Sequence, residues 1–427
     1  MRVGGAVLAG LFLTACSWRW PNPGGDSAPI FELSPVTGMP ACVVIGQPDF
    51  TSGALNQGAG PSPNSLWLPA QTLIVNGKLL VADQGNNRVL IFNRIPTTNN
   101  ASADVVIGQP DFVSGNPNQR PTPTSPDTVS SNTLDRPAGL ASDGQRLFLL
   151  DRDNHRLLIY NQIPTANDAT ADVVIGHDTM NDRSHCGESI LNDTIGLSAS
   201  CLSSGPSGLA YDADSGKLII YDSDNDRVLI YNSVPTRNGV AADVVIGQAD
   251  FAHNTTNQGG AVGPNTLDLN TGSGVGIDQG RLLIADRMNN RVLVFNSIPT
   301  SNNASADVVI GQPDFTQNSP NQGGAVSAQG FDGPRGAQVD DHGRLFVPDA
   351  MNARVLIYEK TPTTNNAAAD MVIGQPDFTT ATPGTTDRTL QTFPYQVSFF
   401  RGHFIITDGT NHRVLIFRMS PRIARGG

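Results

Sequence analysis

Short apolar runs come in pairs along this chain, each pair divided by the same kind of polar stretch. Residues 79–82 precede 89–92, 147–150 precede 157–160, 218–221 precede 228–231, 282–285 precede 292–295, 345–348 precede 355–358 and 404–407 precede 414–417. Apolar side chains on consecutive positions, rather than alternate ones, predict strands covered on both faces. The polar stretch opens with Asp83, Asp151, Asp222, Asp286, Asp349 or Asp408, and every copy fits D-x-x-N-x-R-[VL]-L-[IV]-[FY] without a gap. Asn tolerates left-handed backbone and an Asp carboxylate accepts turn N–H groups, so each copy reads as a hairpin turn. One hairpin cannot cover both its own faces. Six of them, spaced 59 to 71 residues apart, do so by packing radially about an axis. That predicts an all-β chain folded as a six-bladed β-propeller of four-stranded blades.

A second repeat, Val-Val-Ile-Gly-Gln-Pro-Asp-Phe at 43–50, returns at 105–112, 244–251, 308–315 and 371–378 with small changes, and at 173–176 in degenerate form. Its β-branched run followed by Gly and Pro suits an outer strand with a blunted edge. The first copy precedes every hairpin and no copy follows the last hairpin. The strand at 43–46 is therefore expected to complete the sixth blade and close the ring. A third signal, Pro-x-Gly or a variant at 69–71, 137–139, 206–208, 272–274, 334–336 and 394–396, marks the innermost strands. At 177–179 His-Asp-Thr replaces Gln-Pro-Asp, so the junction after the second blade is expected to be the irregular one. The order of these signals resembles NHL-repeat six-bladed propellers, over residues 41–418. That family includes protein- and RNA-binding modules and a zinc-dependent amidating lyase, and six-bladed relatives include calcium-dependent lactonases, so the resemblance implies the fold and leaves function open.

Composition agrees with an all-β chain: Glu and Lys occur three times each, against 44 Gly and 30 Pro. A net charge of −11 argues against a nucleic-acid surface. The first residues carry one cation and a short apolar core ending Leu13-Thr14-Ala15-Cys16, the shape of a secretory signal. This ending resembles a bacterial lipobox, which implies cleavage before Cys16, acylation of its thiol and, with Ser17 next, an outer-membrane lipoprotein. A plain signal peptide with an accidental Cys is the alternative. The expected organisation is a signal peptide at 1–15, a Pro/Gly-rich tether at 16–40, the propeller at 41–418 and a basic tail at 419–427. Cys186 and Cys201 share one extended loop in an oxidising setting and are expected to form a disulfide, leaving Cys42 as the free thiol.

The repeated Asp, Asn and Arg occur once per blade, which suits structural bracing rather than a single active site. The seven His show no metal-ligand spacing, and Asp222 to Asp226 resembles a calcium loop only in its first residues, so no cofactor is expected. The symmetry breaks after the Pro of the third signal, where Ala70, Ala138, Ser207 and Ser273 give way to Arg335 and Tyr395. At the next position Gln71 and Gln396 stand against Gly in the other four copies. With Trp67 nearby, Gln71, Arg335, Tyr395 and Gln396 are expected either to line a funnel suited to an anionic or amide-bearing ligand or simply to plug the channel. The favoured reading is a monomeric, lipid-anchored binding or scaffold propeller presenting this face to a protein, peptide or glycan partner. A lactonase- or lyase-type enzyme using the funnel is the alternative.

Overall fold

The computed structural model describes residues 31–423, except 123–124, 126–127, 185–196, 204, 271 and 273. Cys16, Cys186 and Ser273 thus lie outside the described residues, as do 185–196 of the junction expected to be irregular. Six four-stranded antiparallel sheets form a closed ring, a six-bladed β-propeller. Blade 1 runs from the axis outward as Pro69–Val75, Lys78–Asp83, Arg88–Phe92 and Val105–Ile107. Blades 2 to 5 repeat this order, with inner strands Pro137–Ser142, Pro206–Tyr211, Val275–Asp278 and Gln338–Val339. In blade 6 the strands Pro394–Phe400, His403–Asp408 and Arg413–Arg418 are completed by Val43–Ile45.

That last pairing is the expected closure, with Val43 opposite Ile416 and Ile45 opposite Val414. The closing segment also reaches further back than Val43. Thr37 Oγ1 accepts the Val372 amide at 3.3 Å and the Gly38 amide donates to Val372 O. In blade 1 Asn99 Oδ1 and the Asn100 amide bind Val44 in the same way. Residues 37–42 therefore act as the missing loop of blade 6, and Met39 and Ala41 are buried between blades 5 and 6. Outside this layer Phe31–Ser34 pairs with Ser420–Ile423, a second antiparallel tie between the two ends of the chain.

The continuous apolar runs have the covered faces their pattern requires. Six hydrophobic clusters each fill the space between two neighbouring blades, and Val81, Leu149, Ile220, Ile284, Val347 and Ile406 are completely buried in them. The Pro-x-Gly signal turns out to be a bulge. In blades 1, 2, 3 and 6 the register of the inner strand shifts just after its Pro, which takes the next one or two residues out of the ladder. Cys42 and Cys201 are both disulfide-bonded, so the expectation of a free Cys42 thiol is corrected. Cys42 stands where the other copies carry an Asp that accepts a turn amide, such as Asp104 for Asn93.

Candidate functional site

The repeated polar residues brace the blades. In blade 1 Asp83 Oδ2 accepts from Arg88 Nε at 2.8 Å and Asn86 Nδ2 at 2.7 Å, while Oδ1 accepts the Trp67 amide at 2.7 Å. The remaining Arg88 nitrogens donate to the carbonyls of Phe112, Ser62 and Ser65, tying the hairpin turn to the segments on either side. The same fully buried Asp–Arg pair, at 2.7–2.8 Å, is present in all six blades. These carboxylates are completely buried, so no substrate reaches them.

The variable residue between Asn and Arg has a role that the sequence reading did not assign. It adopts left-handed backbone in every blade, from Asn87 (φ 54°) to His412 (φ 51°). In four blades its side chain reaches the next blade: Asn87 Oδ1 accepts the Arg136 amide, Asp226 Oδ1 that of Leu269, Asn290 Oδ1 that of Gly333 and His412 Nδ1 that of Leu68. Its enrichment in Asn, Asp and His was the available signal, since these types combine left-handed tolerance with an acceptor. Burial pushes the Asp226 carboxyl up to about 6 and lowers the pKa of His412.

The residues singled out near the axis do not share one funnel. Arg335 is buried, with its guanidinium 4.2 Å from the Tyr395 ring centroid and 4.7 Å from that of Phe393. Burial lowers its pKa to about 10, which leaves it charged at neutral pH. Gln71 and Gln396 are also buried. Gln71 Oε1 accepts the Leu140 amide at 2.7 Å and Gln396 Oε1 accepts the Thr72 amide at 2.9 Å, each linking its inner strand to that of the next blade. What remains at this end of the axis is a cavity of ≈ 20 Å³ bordered by Gln71, Arg152, Ser207 and Tyr395. That is room for about one water molecule.

Trp67 faces elsewhere. It lines a groove of ≈ 600 Å³ on the loop-rich end, between the loops that lead into blades 1 and 2. Six large apolar side chains are exposed among the described residues, and three of them, Leu55, Trp67 and Val113, border this one groove. Val113 is the most open, at 68%. Amides of Asn56, Asn86 and Gln119 stand among them, with Pro61, Pro110 and Pro121. Sequence reading found Trp67 and missed Leu55 and Val113, whose signal was an apolar side chain inside an otherwise polar loop. Among the described residues no group of three or more His, Cys, Asp or Glu is placed to hold a metal ion.

No family model matches the chain, and no curated protein matches it. Among solved structures it is similar to a protein of unknown function from Bacteroides thetaiotaomicron, at 13% identity over 88% of this chain and 76% of that one, with a TM-score of 0.44. It is also similar to virginiamycin B lyase from Staphylococcus aureus, at 11% identity over 84% of this chain and 98% of the lyase, with a TM-score of 0.40.

Proposed function

We propose that the chain is an exported, lipid-anchored binding propeller whose loop-rich face holds an extended peptide segment of a protein partner in the groove beside Trp67. The observation that carries this reading is the gathering of Leu55, Trp67 and Val113 in a groove of ≈ 600 Å³. Its size falls in the range of about 300–1,000 Å³ usual for ligand sites. Its three apolar side chains suit alternate residues of an extended peptide. A saccharide would stack on Trp67 but would leave Leu55 and Val113 against water. An enzyme working from the axis at this end would have only ≈ 20 Å³ for its substrate.

Panning the full chain against displayed peptides and a glycan array tests the groove. Saturable peptide binding that falls at least tenfold in Trp67→Ala and in Val113→Asp is the expected result. Binding to glycans alone, or peptide binding indifferent to both substitutions, overturns it. The leader and Leu-Thr-Ala-Cys support the anchor, and the bonded Cys42 and Cys201 support an oxidising compartment. Acylation of Cys16 would take one of the four cysteines out of disulfide bonding. Mass spectrometry of the mature chain is therefore the test: a diacylglyceryl group on Cys16 is expected, and an unacylated N-terminus removes the anchor from the proposal.

A further inference from the structure

At the end of the axis opposite the D-x-x-N-x-R turns, the inner strands of all six blades surround a second recess, of ≈ 240 Å³. Leu73, Leu140, Leu209, Val275, Ile277 and Val339 give it apolar walls interrupted by polar groups, Ser142 and Tyr211 among them, and no charged side chain borders it. The polar groups it offers include three carboxamides, those of Gln71, Gln338 and Gln396. Two of these are engaged through their carbonyl oxygens by the neighbouring inner strands.

Gln338 is different. It is only 9% exposed, yet neither Nε2 nor Oε1 has a hydrogen-bond partner in the protein. Buried amides are ordinarily paired, because stripping water from a donor and an acceptor without replacing it is unfavourable. The fold nevertheless makes room for this one. Blade 5 has the shortest inner strand, Gln338–Val339. A Cβ on Gly336 would run into the Gln338 carboxamide, and a Cβ on Gly276 of blade 4 would collide with the Ala337 carbonyl oxygen. Two glycines thus allow the close approach that leaves an unpaired amide on a residue lining the recess.

We propose that this recess binds a small uncharged molecule with an apolar body and a single amide group, of which a lactam is the simplest form. One amide supplies one acceptor and one donor, the complement of Gln338 Nε2 and Oε1, while the ring lies against the leucine and valine walls. A carboxylate or ammonium would enter with no counter-charge among the lining residues. The volume lies below the range of about 300–1,000 Å³ found for drug-sized ligands, which restricts the occupant to a small one. The site is at the opposite end of the ring from the Trp67 groove, and neither depends on the other.

The test uses ε-caprolactam as probe on the full chain, with cycloheptanone as the ring that keeps the carbonyl and lacks the N–H. Titration followed by amide chemical shifts is expected to show saturable caprolactam binding, with the largest changes at Gln338, Val339 and Leu209. Gln338→Leu, which removes the unpaired amide without opening a cavity, is expected to weaken binding at least tenfold. Leu209→Trp is expected to block it by filling the recess, and Trp67→Ala to leave it unchanged. Absence of saturable binding, shifts centred elsewhere, or binding that survives both recess variants overturns the site. Equal binding of cycloheptanone overturns the amide assignment.

Discussion

In the middle of every blade the trio Asp83, Asn86 and Arg88 has counterparts, whereas along the axis positions 70, 138, 207, 335 and 395 hold Ala, Ala, Ser, Arg and Tyr. Both regions are buried and both contain polar groups, yet they differ in how those groups are satisfied. In mid-blade each carboxylate accepts from a guanidinium, a side-chain amide and a backbone N–H, and the Arg goes on to three carbonyls. Such a fully engaged network can be copied six times because each copy answers only to its own blade. The axis is shared by all six blades, so residues there must fit one another, and repetition would crowd it. Arg335 stacked on Tyr395 closes one end, and the unpaired Gln338 stands at the other. Specific chemistry belongs where the repeat is broken.

Substitution in the two regions should therefore have opposite consequences. Arg291→Met leaves Asp286 buried without its counter-ion and strips donors from the carbonyls of Gly263, Thr266 and Phe315. A loss of about 3–5 kcal/mol in urea unfolding is expected, typical of breaking one partner out of a buried pair. Gln338→Leu, at the axis, is expected to gain about 1 kcal/mol, because it removes an unsatisfied buried amide. If both substitutions destabilise to a similar degree, the contrast between a satisfied repeat and an unsatisfied axis fails.

The same contrast governs what the sequence made legible. Blade number, hairpin positions, outer strands and the closing strand at 43–46 were readable because each is fixed by a local pattern that recurs. The extension of the closure back to Thr37 was not, since Thr37 and Gly38 do the work of Asn99 and Asn100 with different side chains and through the same backbone contacts. Near the axis the departures from the repeat were visible at Gln71, Arg335, Tyr395 and Gln396. Their grouping into one funnel was not what the geometry shows, because bulge and register decide whether a residue points along the channel or across it. Gln338 lies two residues beyond the Pro-x-Gly signal and carries no mark in the sequence. Only the missing partners identify it.

Between these extremes lies the left-handed turn residue, repeated in conformation and varied in chemistry, and it yields the finest test. Asp226 and His412 make the same link to the next blade as Asn87 and Asn290, but both titrate. Burial raises the Asp226 carboxyl from 3.8 to about 6, so the native state holds this proton more tightly than the unfolded chain. Its stabilising contribution is present below about pH 4 and lost as pH rises through about 6. Two units correspond to about 3 kcal/mol at most, so Asp226→Asn should stabilise the protein by up to that amount at pH 8 and by little at pH 4. His412 has the opposite sign. Burial depresses its pKa, so its contribution is present above the unfolded value of about 6.5 and lost as pH falls through the folded one, when protonation takes the Nδ1 lone pair from the Leu68 amide. His412→Asn should be near neutral at pH 8 and worth about 1 kcal/mol at pH 5, roughly one hydrogen bond. Urea midpoints of the two variants should therefore both rise above the parent's, Asp226→Asn towards pH 8 and His412→Asn towards pH 4. Parallel curves would mean that the link tolerates either protonation state and that the turn residue is selected for its backbone alone.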